Sequence, residues 1–190
     1  MDIREKIFNY RSYTPIPLAI AVIILAETTI WSFFVGLVTA IVGESIRFWG
    51  VSYAGSATRT TSGAGGDVLV TNGAFAYVRN PLYLGNFILS LGVCIMAWAW
   101  MPWMLLLYIA LFAFQYAMII SLEEDYLNQT FKDVYADYAR HVPRFIPRVT
   151  PYRNRGKISP DTSAAFRSEK STLMNIVAFS IIILVRWLIF

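Results

Sequence analysis

The sequence predicts an all-α integral membrane bundle of about five transmembrane helices, and three observations carry that prediction. The hydrophobic fraction is 57% and the charged fraction 15%, against roughly 45–50% and 25% in soluble chains. Apolar runs long enough to cross a bilayer recur along the chain, separated by short turns or polar segments. Lys and Arg cluster in alternate connections and are missing from the turns between them. A soluble domain of this size could not cover so much apolar side chain with so few charges, whereas a bilayer acts as the apolar solvent itself. The 190 residues leave room for about one domain, taken as residues 1–190. No charged segment, short apolar core and small-residue cleavage site follow one another at the start, so the chain is expected to be mature.

The first apolar region, Pro15 to Tyr53, is interrupted only by Glu27, Thr28, Thr29, Glu44 and Arg47. As one helix it would be about 58 Å long, roughly twice a hydrocarbon core. Two passes joined by a tight turn near Glu27–Ser32 fit better, the first reaching back toward Ser12. Ala54 to Asn72, with its run Gly63-Ala64-Gly65-Gly66, reads as a loop. Pro81 opens a third pass, Leu82 to about Ala99, because proline suits the first turn of a helix. Trp98, Trp100 and Trp103 around Pro102 read as an interfacial turn. A fourth pass runs from Trp103 to about Leu122 and continues into Glu123-Glu124-Asp125. Residues 149–171 read as a polar linker, and 172–190 as a last helix that spans or lies in the interface.

Loop charge orients these passes. The turns near residues 27–32 and 98–103 hold no Lys or Arg, while the N-terminus, the 54–80 loop and the 123–171 segment carry them. The positive-inside rule puts those three basic regions, the N-terminus included, in the cytoplasm. Cys94 is the only cysteine and His141 the only histidine. An internal disulfide and a His/Cys zinc cluster are therefore excluded, and no metal site is expected.

Three segments could carry chemistry. In Gly73–Gly85 a glycine, aromatics and an Arg-Asn-Pro turn sit where a cytoplasmic loop becomes a helix. The helix start offers unpaired N–H groups and a positive dipole end, a seat for a carboxylate. The same residues equally suit an interfacial anchor, with Tyr at headgroup level and Arg on phosphates. Glu123 and Glu124 share a helix face with Tyr116, Ile120 and Leu127. Carboxylates near membrane depth usually have a partner or a task, although both could simply mark the water boundary. Tyr135, Tyr138, His141, Pro143, Arg144, Pro147 and Arg148 suit a lipid-facing patch or a lid over a site.

In order, these elements resemble the signature of the isoprenylcysteine carboxyl methyltransferase and phospholipid N-methyltransferase superfamily. Here it reads Leu69–Phe75, then Arg79-Asn80-Pro81-Leu82-Tyr83-Leu84-Gly85, Glu123-Glu124, Tyr135-Ala136-Asp137-Tyr138 and Val142-Pro143-Arg144-Phe145-Ile146-Pro147, all within residues 69–148. The resemblance implies a cytoplasmic C-terminal cofactor-binding region that holds S-adenosyl-L-methionine between helix ends, without a Rossmann sheet. The sequence agrees, since no strand leads into Gly-x-Gly-x-x-Gly. It implies cofactor contacts from Gly73, Phe75, Tyr77, Val78, Arg79, Asn80, Pro81, Tyr83, Gly85, Glu123 and Glu124, and catalytic roles for Glu124 and Arg144. The acceptor implied is a lipid or lipidated small molecule entering from the bilayer, an isoprenylcysteine-type carboxyl or a phospholipid amine. Membrane lipids would surround the protein, and no nucleic-acid partner is expected.

The chain departs from the family in three places. Asn80 stands where histidine is commoner, Lys132 where many members have glycine, and Gln115–Leu122 lacks the basic residues of eukaryotic isoprenylcysteine enzymes. Two other functions compete. A membrane reductase of the sterol or steroid type would use NADPH, yet only Arg59 and Arg79 lie between residues 48 and 131 to meet a 2′-phosphate. A non-enzymatic membrane scaffold is the other.

Overall fold

A computed structural model describes residues 2–55, 68–154 and 156–189. The expected loop run Gly63–Gly66 and Arg59 lie outside the described residues. The elements are α-helical: α1 (Ile3–Tyr10), α2 (Ile16–Ile24), α3 (Ile30–Ala54), α4 (Pro81–Ala97), α5 (Trp103–His141) and α6 (Thr162–Ile189), with a 3-10 turn at Gly73–Ala76. Three of the helices, α3, α5 and α6, are long and apolar enough to cross a membrane. Their outward faces carry Trp31, Phe34, Val38, Leu106, Phe114, Val177 and Leu188, all exposed. Large apolar side chains facing outward on long helices are what a lipid solvent requires, and the chain is an integral membrane protein.

The helix ends follow local chemistry. Asp2 accepts from the Arg4 N–H at 2.9 Å and caps α1, and Arg4 reaches Asp125 on α5 at 2.6 Å. Thr29 and Ser32 close a reciprocal capping box at the start of α3, with bonds of 3.1 and 2.9 Å. The turn before it is tied to the end of α4, where the Ala97 carbonyl accepts from the Glu27 N–H at 2.9 Å. Proline opens α4 as expected, and Trp98 ends it at φ 52°.

Three boundaries differ from the sequence reading. The first pass does not reach Ser12: turns occupy residues 11–15, and α2 begins at Ile16 behind Pro15. Its 9 residues make about 14 Å, under half a hydrocarbon core. The polar linker is shorter than residues 149–171, because α6 starts at Thr162, where Asp161 Oδ1 accepts the Ala164 N–H at 2.8 Å. Apolarity marks only the lipid-facing part of that helix. Finally, α5 bends at Lys132, whose φ of 45° and ψ of −121° lie in a region that favours glycine.

The core is built on an antiparallel α3–α4 seam. Gly36, Gly43 and Gly50 recur at heptad spacing on α3, facing Gly92, Gly85 and Leu82 on α4. A Cβ on Gly43 would stand 2.3 Å from the Leu89 nitrogen, and one on Gly36 2.3 Å from the Met96 nitrogen. Backbone meets backbone here, the close approach that small residues allow between membrane helices. Beyond the seam, Val22, Cys94, Met96, Met104, Tyr108 and Ile183 fill one end of the bundle. Ala76, Tyr135, Tyr138, Val142 and Tyr152 fill the other.

Candidate functional site

The second of those clusters roofs a cavity of about 680 Å³ bounded by α1, α3, α4, α5 and α6, within the ~300–1,000 Å³ typical of small-molecule sites. Its upper wall is the segment before α4. Gly73 sits at φ 57° under the Tyr53 ring, whose carbons lie 2.3–2.6 Å from where a Cβ would be. A side chain there would displace Tyr53, so this glycine shapes the turn that carries Phe75 to the cavity wall.

The segment after α5 lies along the same strip of backbone. The Arg79 N–H donates to the Pro143 carbonyl at 2.9 Å, Arg148 to Tyr77 at 3.0 Å, and Tyr152 to Ala76 at 2.9 Å. The Tyr138 hydroxyl adds a bond to the Phe75 carbonyl at 2.7 Å, and Asn80 Nδ2 one to the Arg144 carbonyl at 3.2 Å. Pro143 holds Val142 extended, at φ −110° and ψ 122°, and so ends α5, which leaves the backbone beyond it available for this pairing. The expected lid is therefore a strap bonded to the motif it covers.

Glu123 and Glu124 diverge. The Tyr83 hydroxyl donates to Glu123 Oε1 at 2.5 Å, joining α4 to α5 on the cavity wall. Glu124, buried, takes both Arg144 Nη2 and, at 3.1 Å, Arg144 Nε, with Arg79 Nη1 at 3.5 Å from Oε1. That two-pronged pairing suits a guanidinium, and the hydrogen bonds it donates to Glu124 hold Arg144 above its ordinary pKa. Arg79 Nε is buried without a hydrogen-bond partner among the described residues.

Of the residues expected to contact a cofactor, Phe75, Arg79, Asn80, Pro81, Tyr83 and Glu123 line the cavity. Gly73, Tyr77, Val78, Gly85 and Glu124, together with Arg144, expected as catalytic, are not among its lining residues. Gly85 belongs to the seam, where a Cβ would meet the Gly43 carbonyl at 2.7 Å. Tyr77 and Val78 form the strap-bonded backbone, and Tyr77 also packs on Trp49.

A second polar group beneath the motif was not foreseen. Arg47 on α3 donates to Glu169 on α6 at 2.7 and 3.2 Å, and through Nη1 to Asn86 Oδ1 on α4. Asn86 Nδ2 in turn donates to the Tyr116 hydroxyl on α5 at 3.3 Å. All four side chains line the cavity, and Glu169 is 0% exposed. Arg47 interrupting an apolar run, and Asn86 one turn past Tyr83, were signals in the sequence. Glu169 lies in a polar stretch and gave none.

Comparison with known proteins matches residues 31–134 to the phospholipid methyltransferase family, more than half of the 190 residues. The protein-S-isoprenylcysteine O-methyltransferase of Schizosaccharomyces pombe is 39% identical over 82 residues, 43% of this chain and 34% of that protein. The enzyme of that name from Dictyostelium discoideum is 30% identical over 136 residues, 66% of this chain and 52% of that protein. A cobalt-zinc-cadmium resistance protein of Cupriavidus metallidurans is 36% identical over 92 residues, 48% of this chain and 41% of that protein. The chain spans about half or less of the length of these relatives. No solved structure matches.

Proposed function

We propose a function from one premise: the chain belongs to the phospholipid methyltransferase family. The protein transfers a methyl group from S-adenosyl-L-methionine to a lipid or lipidated acceptor that reaches the cavity from the bilayer. One observation carries this reading. The two motif patches, about forty residues apart in sequence, meet around one cavity: Tyr83 bonds Glu123, and Arg79 stands beside Glu124. The mouth of the cavity faces the cytoplasm, with the N-terminus on the same side, in keeping with the loop charges.

The donor set suits that cofactor. The unpartnered Arg79 Nε and Asn80 offer hydrogen bonds to a carboxylate. Glu123 accepts from an amino group or from ribose hydroxyls, and Phe75, Tyr135 and Tyr138 supply flat apolar surface for a base. When bound, S-adenosyl-L-methionine supplies an electrophilic methyl on a sulfonium. The protein's part is alignment and exclusion of water. Glu124 and Arg144 act as a latch: their pairing holds the strap closed over the cavity, and its release admits the cofactor. Glu123 is the group placed to take a proton where the acceptor is an amine, whereas a carboxylate acceptor needs no base.

Calorimetry of the purified protein in nanodiscs tests the reading. S-adenosylhomocysteine binds and NADPH does not, and Arg79→Ala weakens the former about tenfold, as loss of a charge-assisted bond predicts. Binding of NADPH in place of S-adenosylhomocysteine would convert the site to a reductase's.

A further inference from the structure

We propose that α1 is a hinged gate on the bilayer side of the cavity, with Phe8 as its plug and Gln115 on α5 as its pivot. What it admits is an apolar chain arriving from lipid. That purpose rests on the methyl-transfer reading; the hinge itself does not.

Residues 3–24 form a broken pass. Pro15 has no N–H with which to reach the Arg11 carbonyl four residues back, so α1 cannot run on into α2. Gln115 takes that carbonyl instead: its Nε2 donates to it at 3.3 Å, and its Oε1 accepts from the Thr14 hydroxyl at 2.6 Å. Gln115 lies twelve residues past the start of α5 at Trp103, about 18 Å along the axis and within a hydrocarbon core of about 30 Å. Irregular backbone at that depth is tolerated only where protein buries it or where it lines a cavity. Arg11 and Ser12, both in the break, line this one.

The two sides of the break are held by unequal means. On the far side α2 is anchored by apolar packing, with Val22 buried among Cys94 and Met96 of α4 and Met104 and Tyr108 of α5. On the near side α1 buries one side chain, Phe8, which is 3% exposed and lines the cavity. Arg11 covers the Phe8 ring at 3.9 Å and donates to its carbonyl at 2.8 Å, fastening plug to hinge. The tip of α1 is tied to α5 by the Arg4–Asp125 pair at 2.6 Å, open to solvent and therefore weak. Ile3, Tyr10 and Tyr13 are exposed, so α1 can swing within the headgroup layer and keep its apolar side chains out of water. A swing about residues 11–15 withdraws Phe8 and opens the cavity to lipid beside α5, with α2 in place. The gate precedes residues 31–134, the part matched to the family.

The test locks the gate. In the full chain in nanodiscs, with Cys94→Ala, the pair Arg4→Cys and Asp125→Cys is joined by a bis-methanethiosulfonate linker that a reductant releases. The probe is hexadecanol carrying a diazirine in its tail, photolysed in the bilayer, with adducts counted by mass spectrometry. Adducts on the cavity-lining Leu82 and Leu127 are expected to fall at least about tenfold in the locked protein, because entry needs a minor open state, and to return on reduction. Adducts on the outward-facing Phe114 stay constant. S-adenosylhomocysteine, which enters from the cytoplasm, binds the locked and released forms alike. Phe8→Ala raises cavity adducts in the unlocked protein about tenfold, the equivalent of one buried ring. Cavity labelling that is equal in locked and released protein, or that Phe8→Ala leaves unchanged, would overturn the gate. Lock-dependent labelling of a protein that does not bind S-adenosylhomocysteine would instead remove the methyl-transfer reading and leave the gate standing.

Discussion

The two flanks of α4 are built on opposite principles. Toward α3 it meets backbone: Gly85 and Gly92 lie against Gly43, Gly36 and Ala40 with no room for a single methyl. Toward α5 it meets rings: Phe87 stacks on Tyr108 at 5.6 Å and meets Phe112 edge-on at 5.0 Å, and Tyr83 tilts on Tyr116 at 4.8 Å. A glycine seam has one packing solution, because backbone atoms cannot rotate aside. An aromatic seam can open and reclose by changing side-chain torsions, with the helices in place. The α3–α4 pair is thus a fixed wall, and on the proposed function the α4–α5 flank is the side on which an apolar acceptor would pass from lipid to cavity.

That contrast can be broken experimentally, beginning where the effect is largest. Gly43→Leu sets side-chain carbons against the Leu89 nitrogen and the Gly85 carbonyl. It is expected to cost at least about 3 kcal/mol, read as loss of the folded fraction on thermal unfolding in detergent. An unchanged melting curve would mean that the seam is not the rigid element.

The latch ranks next. Glu124→Gln removes the charge that holds Arg144 and sits beside Arg79. S-adenosylhomocysteine affinity is expected to fall about tenfold, and limited proteolysis after Arg144 or Arg148 should quicken as the strap loosens. Equal proteolysis rates would show that the backbone pairing alone holds the strap.

The aromatic flank should yield more mildly. Phe112→Leu keeps an apolar side chain but loses volume and the ring contacts with Phe87, Tyr108 and Tyr116, at a cost of at least about 1 kcal/mol. Acceptor uptake should change more than S-adenosylhomocysteine affinity. The reverse result would place the acceptor path elsewhere.

The smallest effect is a gain. Lys132→Gly relieves a side chain at φ 45°, so the melting temperature should hold or rise, worth up to about 1 kcal/mol. A clear fall would show that the bend in α5 depends on the lysine itself.

What could be read along the chain was whatever depends on neighbours in sequence. The apolar runs, the proline at the start of α4, the Trp turn and the order of the motif segments are all local, since helix period and turn chemistry operate over a few residues. The start of α6 escaped because its first turns are polar, and apolarity reports only the part facing lipid. The partners of the charges could be settled only by folding. Adjacent residues Glu123 and Glu124 point to different elements, bonding Tyr83 on α4 and Arg144 in the strap after α5, a division that their spacing does not encode. Gly85 read as a site residue, yet it serves the seam, because a glycine's use depends on the chain opposite it. Glu169 gained its place only when α6 laid it beside Arg47, 122 residues away. Local sequence sets which segments become helices; which side chains share a cavity depends on how those helices pack.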